Sequence, residues 1–170
     1  FCYTHTMEII ALQELSKELL ASFLVEEDGQ KSIFSQLASS QTKNDRTVTP
    51  ERVAYILQSE DHIMFLAVED DTLLGMTLGQ RVTGINNSYM YIHDVVVEAG
   101  VRGGGVGSKL VTLLLEAGKQ KWPEIVRFQL TSRPSRGTGP FFAKFGFRAR
   151  TKESGDETIV YVRDIGEYTS

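Results

Sequence analysis

Apolar residues change their spacing several times along this chain, and each change marks an element. From Met7 to Leu24 the residues Ile9, Ile10, Leu12, Leu15, Leu19, Leu20 and Phe23 recur at the interval of one helix face. Phe1–Thr6 before them alternates and predicts a first strand. An acidic turn follows at Glu26, Glu27, Asp28 and Gly29, and a short helix is read around Ser32–Ala38. The polar stretch SSQTKNDRTVT is a loop. Thr49-Pro50-Glu51 then opens a helix to about Ser59, with a capping hydroxyl, a first-turn proline and an acid at the positive end.

Beyond residue 60 the period falls to two. Ile63–Glu69, Leu73–Val82 and Tyr89–Val97 are β-branched and aromatic, and short turn-like joins make antiparallel hairpins of them. VRGGGVGSKL opens a helix to about Lys121, with Val106, Leu110, Leu113, Leu114 and Ala117 on one face, and Pro123 stops it. Ile125–Thr131 is another strand. SRPSRGTG loops into a short helix around Pro140–Lys144, and Phe147–Thr151 with Thr158–Arg163 makes a closing hairpin. The order is β-α-α-β-β-β-α-β-α-β-β, with the short 32–38 helix beside it. This is an α/β (α+β) domain with a mixed, mostly antiparallel sheet, and one βαβ crossover joins the fourth strand to the fifth.

Length suits a single domain over residues 1–170. With 18 basic against 22 acidic residues and a net charge of −4, the chain lacks the basic excess of a nucleic-acid binder. Cys2 is the sole cysteine, and His5, His62 and His93 have no zinc-ligand spacing, so no metal is expected. No apolar run approaches a membrane span and no signal-peptide pattern opens the chain, so a soluble, cytoplasmic protein without a membrane partner is expected. A homodimer is left open.

The glycine-rich turn carries the chemistry. Gly103, Gly104, Gly105 and Gly107 follow a strand and open a helix, where free backbone N–H groups and the helix dipole favour an anion. A G-x-G-x-x-G fingerprint fails because Ser108 stands in the third glycine place, and a P-loop fails because Ser108 precedes Lys109. A flexible turn that binds nothing is the plain alternative.

Arg102-Gly103-Gly104-Gly105-Val106-Gly107, preceded by Asp94-Val95-Val96-Val97, resembles the R/Q-x-x-G-x-G/A motif of the GNAT superfamily of N-acetyltransferases. Leu130–Pro134 and Phe141–Phe147 resemble that family's second motif. The match runs from about Tyr91 to Phe147, and the chain also resembles, in segments near Ile92–Val97 and Arg148–Arg163, bacterial members with an LTSRP-type motif. It is more distantly similar to the glucosamine-6-phosphate N-acetyltransferases, but Thr131 and Ser132 replace their acidic pattern, so that sugar is not assigned.

The resemblance implies acetyl-CoA as co-substrate and a small-molecule or peptide amine as acceptor. It implies that amides from Arg102 through Ser108 bind the pyrophosphate and that Val95, Val96 and Val97 pair with the pantetheine arm. Ser135 and Phe142 would also border the coenzyme. The N–H of Val97 would face the thioester carbonyl, where one such donor is typically worth about 3 kcal/mol. An ammonium has no free lone pair, so the acceptor must lose a proton before it attacks. The family often carries Glu or His four residues before the last strand valine, which is His93 here. A histidine accepts a proton at neutral pH. Strand alternation puts Tyr91, His93, Val95 and Val97 on one face and Asp94 and Val96 on the other. Asp94 ranks second as a catalytic group and Tyr91 third. His93 as a plain cleft residue, Arg102 as a solvated turn residue and Tyr91 as core are the structural alternatives.

Phe142 departs from the family, because a tyrosine commonly stands there to protonate the departing thiolate. Ser135, Tyr91 or water would supply that proton instead. The departure also favours a rival reading, a GNAT-shaped module that holds acyl-CoA as a sensor or scaffold without turnover. Glu26, Glu27 and Asp28 would suit an amine or polyamine, or are simply an exposed turn. Arg133 and Arg136 would hold a carboxylate or phosphate.

Overall fold

The second strand shows why the sheet is enclosed. In β2 (His62–Glu69), Met64, Leu66 and Val68 face one core, while Ile63, Phe65 and Ala67 face others on the opposite side. Both faces are covered, so the strand reads as an unbroken apolar run. The computed structural model of the protein describes residues 6–40, 46–150 and 158–166.

Among the described residues seven strands form one sheet in the order β1-β2-β3-β4-β5-β7-β6. They are β1 (Glu8–Ala11), β2, β3 (Thr72–Thr83), β4 (Ser88–Val97), β5 (Ile125–Ser132), β6 (Arg148–Ala149) and β7 (Ile159–Asp164). All neighbours are antiparallel except β4 and β5, which α4 (Val106–Lys121) joins as a parallel crossover. One face carries α1 (Lys17–Leu24), α2 (Ile33–Ser39) and α3 (Pro50–Gln58) through Phe23, Phe34, Leu37 and Val53. The other carries α4 through Leu110, Val111, Leu114 and Leu115, joined by Phe142 of α5 (Gly139–Ala143).

The N-terminal reading needs correction. Residues 1–5 lie outside the described residues. The stretch from Met7 to Leu24 is not one helix: it holds β1, a single 3-10 turn at Leu12–Glu14, and then α1. Ile9 and Ile10 are β-branched and pair with Ala67 and Leu66 at the sheet edge. The helix starts late because Ser16 caps it, its hydroxyl accepting from the Leu19 amide at 3.1 Å. The short helix read at 32–38 is α2, Ile33–Ser39, so among the described residues three helices lie between the first two strands. The closing hairpin is also shorter at its first strand, because Phe147 packs into the core beside Phe142. The turn read across 153–157 lies outside the described residues.

β4 breaks its own alternation. Leu78 pairs with Asp94 and Gly79 with Ile92, so His93 is a bulged residue with no partner across the ladder. The buried hydroxyl of Thr77 donates to the Asp94 carbonyl at 2.9 Å and ties the bulge down. The extra residue reverses the faces. Ile92, Val95 and Val97 now pack on the α4 side, while Tyr91 shares the opposite face with Asp94 and Val96. The expected single face of Tyr91, His93, Val95 and Val97 is therefore divided.

Candidate active site

A cleft of about 600 Å³ opens where β4 and β5 part. The two strands pair only as far as Tyr91 and Gln129. Beyond that, Ile92–Val97 form one wall, and Leu130, Thr131 and Ser132 the other. The Glu98 amide donates to the Leu74 carbonyl at 2.8 Å, which fixes the phase of the β3–β4 ladder. Alternate residues of an antiparallel ladder turn their N–H groups outward, so Val95 and Val97 present theirs to the gap.

The glycine turn closes one end of the cleft. Gly103 and Gly105 have φ of 83° and 85°, a backbone that glycine adopts without strain. Gly105 is the N-cap of α4 and has no side chain to satisfy the first turn. The amides of Gly103, Gly105, Val106, Gly107 and Ser108 have no hydrogen-bond partner among the described residues. The Arg102 and Gly104 amides are already used, donating to the carbonyls of Ala99 and Val101 at 3.4 Å each. So five amides between residues 103 and 108 are open, rather than the whole run from 102. The Arg102 side chain turns back, its Nε donating to the Val97 carbonyl at 3.0 Å. It braces the strand end against the turn.

Charge in the cleft is mostly positive. Arg46, Arg102, Arg133, Arg136 and Lys144 line it, against the single carboxylate of Asp94 among the described lining residues. Arg46 comes from the loop before α3 and meets Asp94 Oδ1 through Nη1 at 2.8 Å. Glu26, Glu27 and Asp28 line none of it; they sit in an exposed turn closed by a Glu27–Gln30 bridge.

His93 stands on the wall with its ring reaching solvent. Its Nε2 lies 2.7 Å from Gln80 Oε1, and its ring meets Tyr91 edge-on at 4.9 Å between centroids. The amide oxygen accepts only if Nε2 carries the proton, which leaves the Nδ1 lone pair free. Desolvation holds the imidazole below its ordinary value of 6.5, and the neighbouring Asp94 pulls weakly the other way. A depressed value keeps the ring neutral, and so basic, at physiological pH.

The cleft thus gathers His93, Asp94, Val95, Val96, Val97, Arg102, Gly103, Gly105, Val106, Gly107, Ser108 and Phe142. Tyr91 stands behind the wall, its hydroxyl 2.7 Å from that of Thr131. Gly104 and Ser135 do not line the cleft, and Ser135 is exposed on the 3-10 turn Pro134–Arg136. Phe142 is buried and packs edge-on against Phe147, so its ring serves the core as well as the wall. Arg46, Gln80, Phe141 and Lys144 are additions. No local pattern marks Arg46 or Gln80, because each meets its partner across the fold.

The family model of the acetyltransferase (GNAT) family matches residues 13–147. This chain belongs to the GNAT acetyltransferase family. Solved structures share its fold at low identity. An acetyltransferase of the GNAT family from Streptococcus pneumoniae is 15% identical, with TM-score 0.68 over 94% of this chain and 100% of its own. Glucosamine-6-phosphate N-acetyltransferase from Arabidopsis thaliana is 18% identical, with TM-score 0.65 over 89% and 98%. Arabidopsis thaliana Naa50, in complex with the bisubstrate analogue CoA-Ac-MVNAL, is 15% identical, with TM-score 0.63 over 94% and 99%. No curated relative matches the sequence. Among the described residues no helix is long and apolar enough to cross a membrane, and no cluster of side chains has the makings of a metal site.

Proposed function

We propose that this GNAT domain transfers acetyl from acetyl-CoA to a primary amine by direct attack within a ternary complex. The observation that carries the proposal is the conjunction of two open backbone arrays, five free amides at the mouth of α4 and the outward N–H groups of Val95 and Val97 in the β4–β5 gap. The first array fits a diphosphate, because helix-start amides and the dipole both favour anions. The second fits an extended amide-bearing arm, which would pair as a further strand. Arg133, Arg136 and Lys144 supply cationic side chains for the remaining phosphate charge.

When bound, acetyl-CoA supplies an acyl carbon to which the amine nitrogen bonds as the carbon–sulfur bond breaks. His93 Nδ1 takes the proton that the ammonium must lose. The Val97 N–H donates to the carbonyl oxygen as negative charge develops there. The proton held by His93 returns to solvent; as the carbon–sulfur bond breaks, the adduct nitrogen gives up its second proton through water, and the thiolate takes that proton or leaves as it is. A thiol pKa near 8.5 makes it a tolerable leaving group, so Phe142 in place of a hydroxyl does not preclude turnover. Asp94 orients the acceptor's ammonium. Tyr91 is held by Thr131 and positions the His93 ring.

Phe142 also supports a second reading, a domain that binds acyl-CoA without turning it over. Thiol release from acetyl-CoA across a panel of amines decides between the two. Release that depends on the amine, and that His93→Gln abolishes, supports catalysis. Coenzyme A association by calorimetry with no release under any amine leaves the binding module standing. No association with coenzyme A removes both readings.

A further inference from the structure

A second cavity of about 490 Å³ adjoins the cleft on the α2–α3 side of the sheet. Its inner wall is apolar: Phe34 from α2, Val53 and Ile56 from α3, Met64 from β2, and Met76 and Leu78 from β3. Thr47 carries the one hydroxyl on that wall among the described residues. Ala38, Arg46 and Asp94 line both cavities, so the Arg46–Asp94 ion pair marks the junction. Arg52 lines the second cavity alone and is exposed at its rim.

The acetyl acceptor has to reach the thioester beside Val97, and this cavity opens onto the same wall. We propose that it receives the carbon skeleton of the acceptor, and that the acceptor is an amino acid with an unbranched or lightly branched apolar side chain. This rests on the acetyl-transfer reading above and adds the acceptor class to it.

Three properties of the cavity choose that class. An apolar wall rewards buried methylenes and offers no partners for sugar hydroxyls, which would be left unsatisfied. Asp94 is the carboxylate at the junction and attracts the ammonium. An ammonium seated at Asp94 takes the place of Arg46, whose guanidinium then needs an anion. Arg46 and Arg52 together make a cationic rim that an acceptor carboxylate neutralises. With two arginines against one aspartate, a polyamine would bring further positive charge to a rim already in excess. The acidic turn at Glu26–Asp28, the feature that would suit a polyamine, lies outside both cavities.

The test is steady-state kinetics with acetyl-CoA and the series alanine, 2-aminobutyrate, norvaline and norleucine, read by thiol release. The expected result is a rise in kcat/KM of about fourfold per methylene. Norleucine should exceed its amide, which lacks the carboxylate, by at least about tenfold. Arg52→Ala should bring that ratio toward one while leaving the rise per methylene intact. Its side chain is exposed and its helix cap uses only its backbone, so folding is not at stake. A flat series, faster turnover of spermidine or glucosamine 6-phosphate, or an acid-to-amide ratio that Arg52→Ala leaves unmoved overturns the proposal. Calorimetry with coenzyme A separates the two levels. Association with a flat series defeats only the acceptor class, whereas absence of both association and thiol release defeats the acetyl-transfer reading as well.

Discussion

The contact between Gln80 and His93 makes the proposed proton acceptor testable without deleting it. Gln80 Oε1 lies 2.7 Å from His93 Nε2. Replacing the amide by a carboxylate in Gln80→Glu puts a negative charge where a neutral acceptor stood. A unit pair about 4 Å apart is worth about 1 kcal/mol in water and about 4 kcal/mol near a protein surface, or roughly one to three pH units. His93 reaches solvent, which selects the low end, about one unit. The sign is upward, because the carboxylate favours the imidazolium. In the wild-type protein desolvation works the other way and outweighs the pull of Asp94, while Arg46 is engaged by that same aspartate. The acid limb of kcat/KM, which reports the free enzyme, should thus fall below pH 6.5 in the wild type and move up by about one unit in Gln80→Glu. The variant should lose activity at pH 6.5 and recover it by about pH 8.5. Gln80→Leu should lower kcat without that upward move, since it removes the tautomer control but adds no charge. Histidine NMR gives the pKa independently of turnover. If the His93 resonance moves and the acid limb of the rate does not, the group that limits the rate is not His93.

The turn and the sheet carry further predictions. Gly105→Ala should destabilise by about 1–2 kcal/mol, because φ of 85° is strained for a residue with Cβ although the space around it is open. Gly107→Ala should change sign: it lies within α4, its Cβ would make ordinary 3.5 Å contacts with Phe141 and Val97, and the helix gains up to about 1 kcal/mol. Thermal melts should separate these two variants by roughly 2–12 °C, at about 2–4 °C per kcal/mol. Gly75→Ala should destabilise by about 1–3 kcal/mol, since its Cβ would stand 2.9 Å from the Val96 carbonyl, which is backbone and cannot swing away. Stability should also decline as pH falls below 6.5, because His62 and His93 are both held low by desolvation and the unfolded chain takes up their protons first. Urea titrations at pH 7.5 and 5 read that loss, and His62→Gln should reduce it.

Most of the sheet is legible in the chain because β2, β3 and β4 pair with near neighbours through short joins and a single helix carries β4 over to β5, so local period and turn chemistry carry nearly all the information. The first strand is not. Ile9 and Ile10 satisfy both a helical spacing with Leu12 and a strand pairing with Leu66 and Ala67, and the choice depends on an edge some 55 residues away. The open amides of the glycine turn are legible because they are backbone features, which need only glycine and the start of a helix. Which of its amides are already used is decided by the 3-10 turn Ala99–Val101, where two carbonyls take the amides of Arg102 and Gly104.

His93 lies on the cleft wall, although strict alternation gives it a different geometry. Strict alternation gives it the face of Val95 and Val97, and a histidine on that face would point into the α4 core. The bulge prevents this. One unpaired residue turns Tyr91 toward the α2–α3 side while Val95 and Val97 keep their side chains on α4, and His93 is left where Gln80 can reach it. The bulge therefore joins three requirements of the proposed acetyl transfer in one irregularity. It stands just beyond the last β4–β5 pair and a few residues before the open amides of Val95 and Val97, holds the proposed base beside that gap, and directs Asp94 toward the second cavity. A strand in regular register would meet the first requirement only by leaving a buried, unpaired imidazole in the core. In the proposed reaction the irregularity at residues 92–94 is thus the element on which base, acceptor and thioester converge, and deleting His93 to restore the register should remove acetyl transfer while leaving the five amides of the turn free to bind coenzyme A.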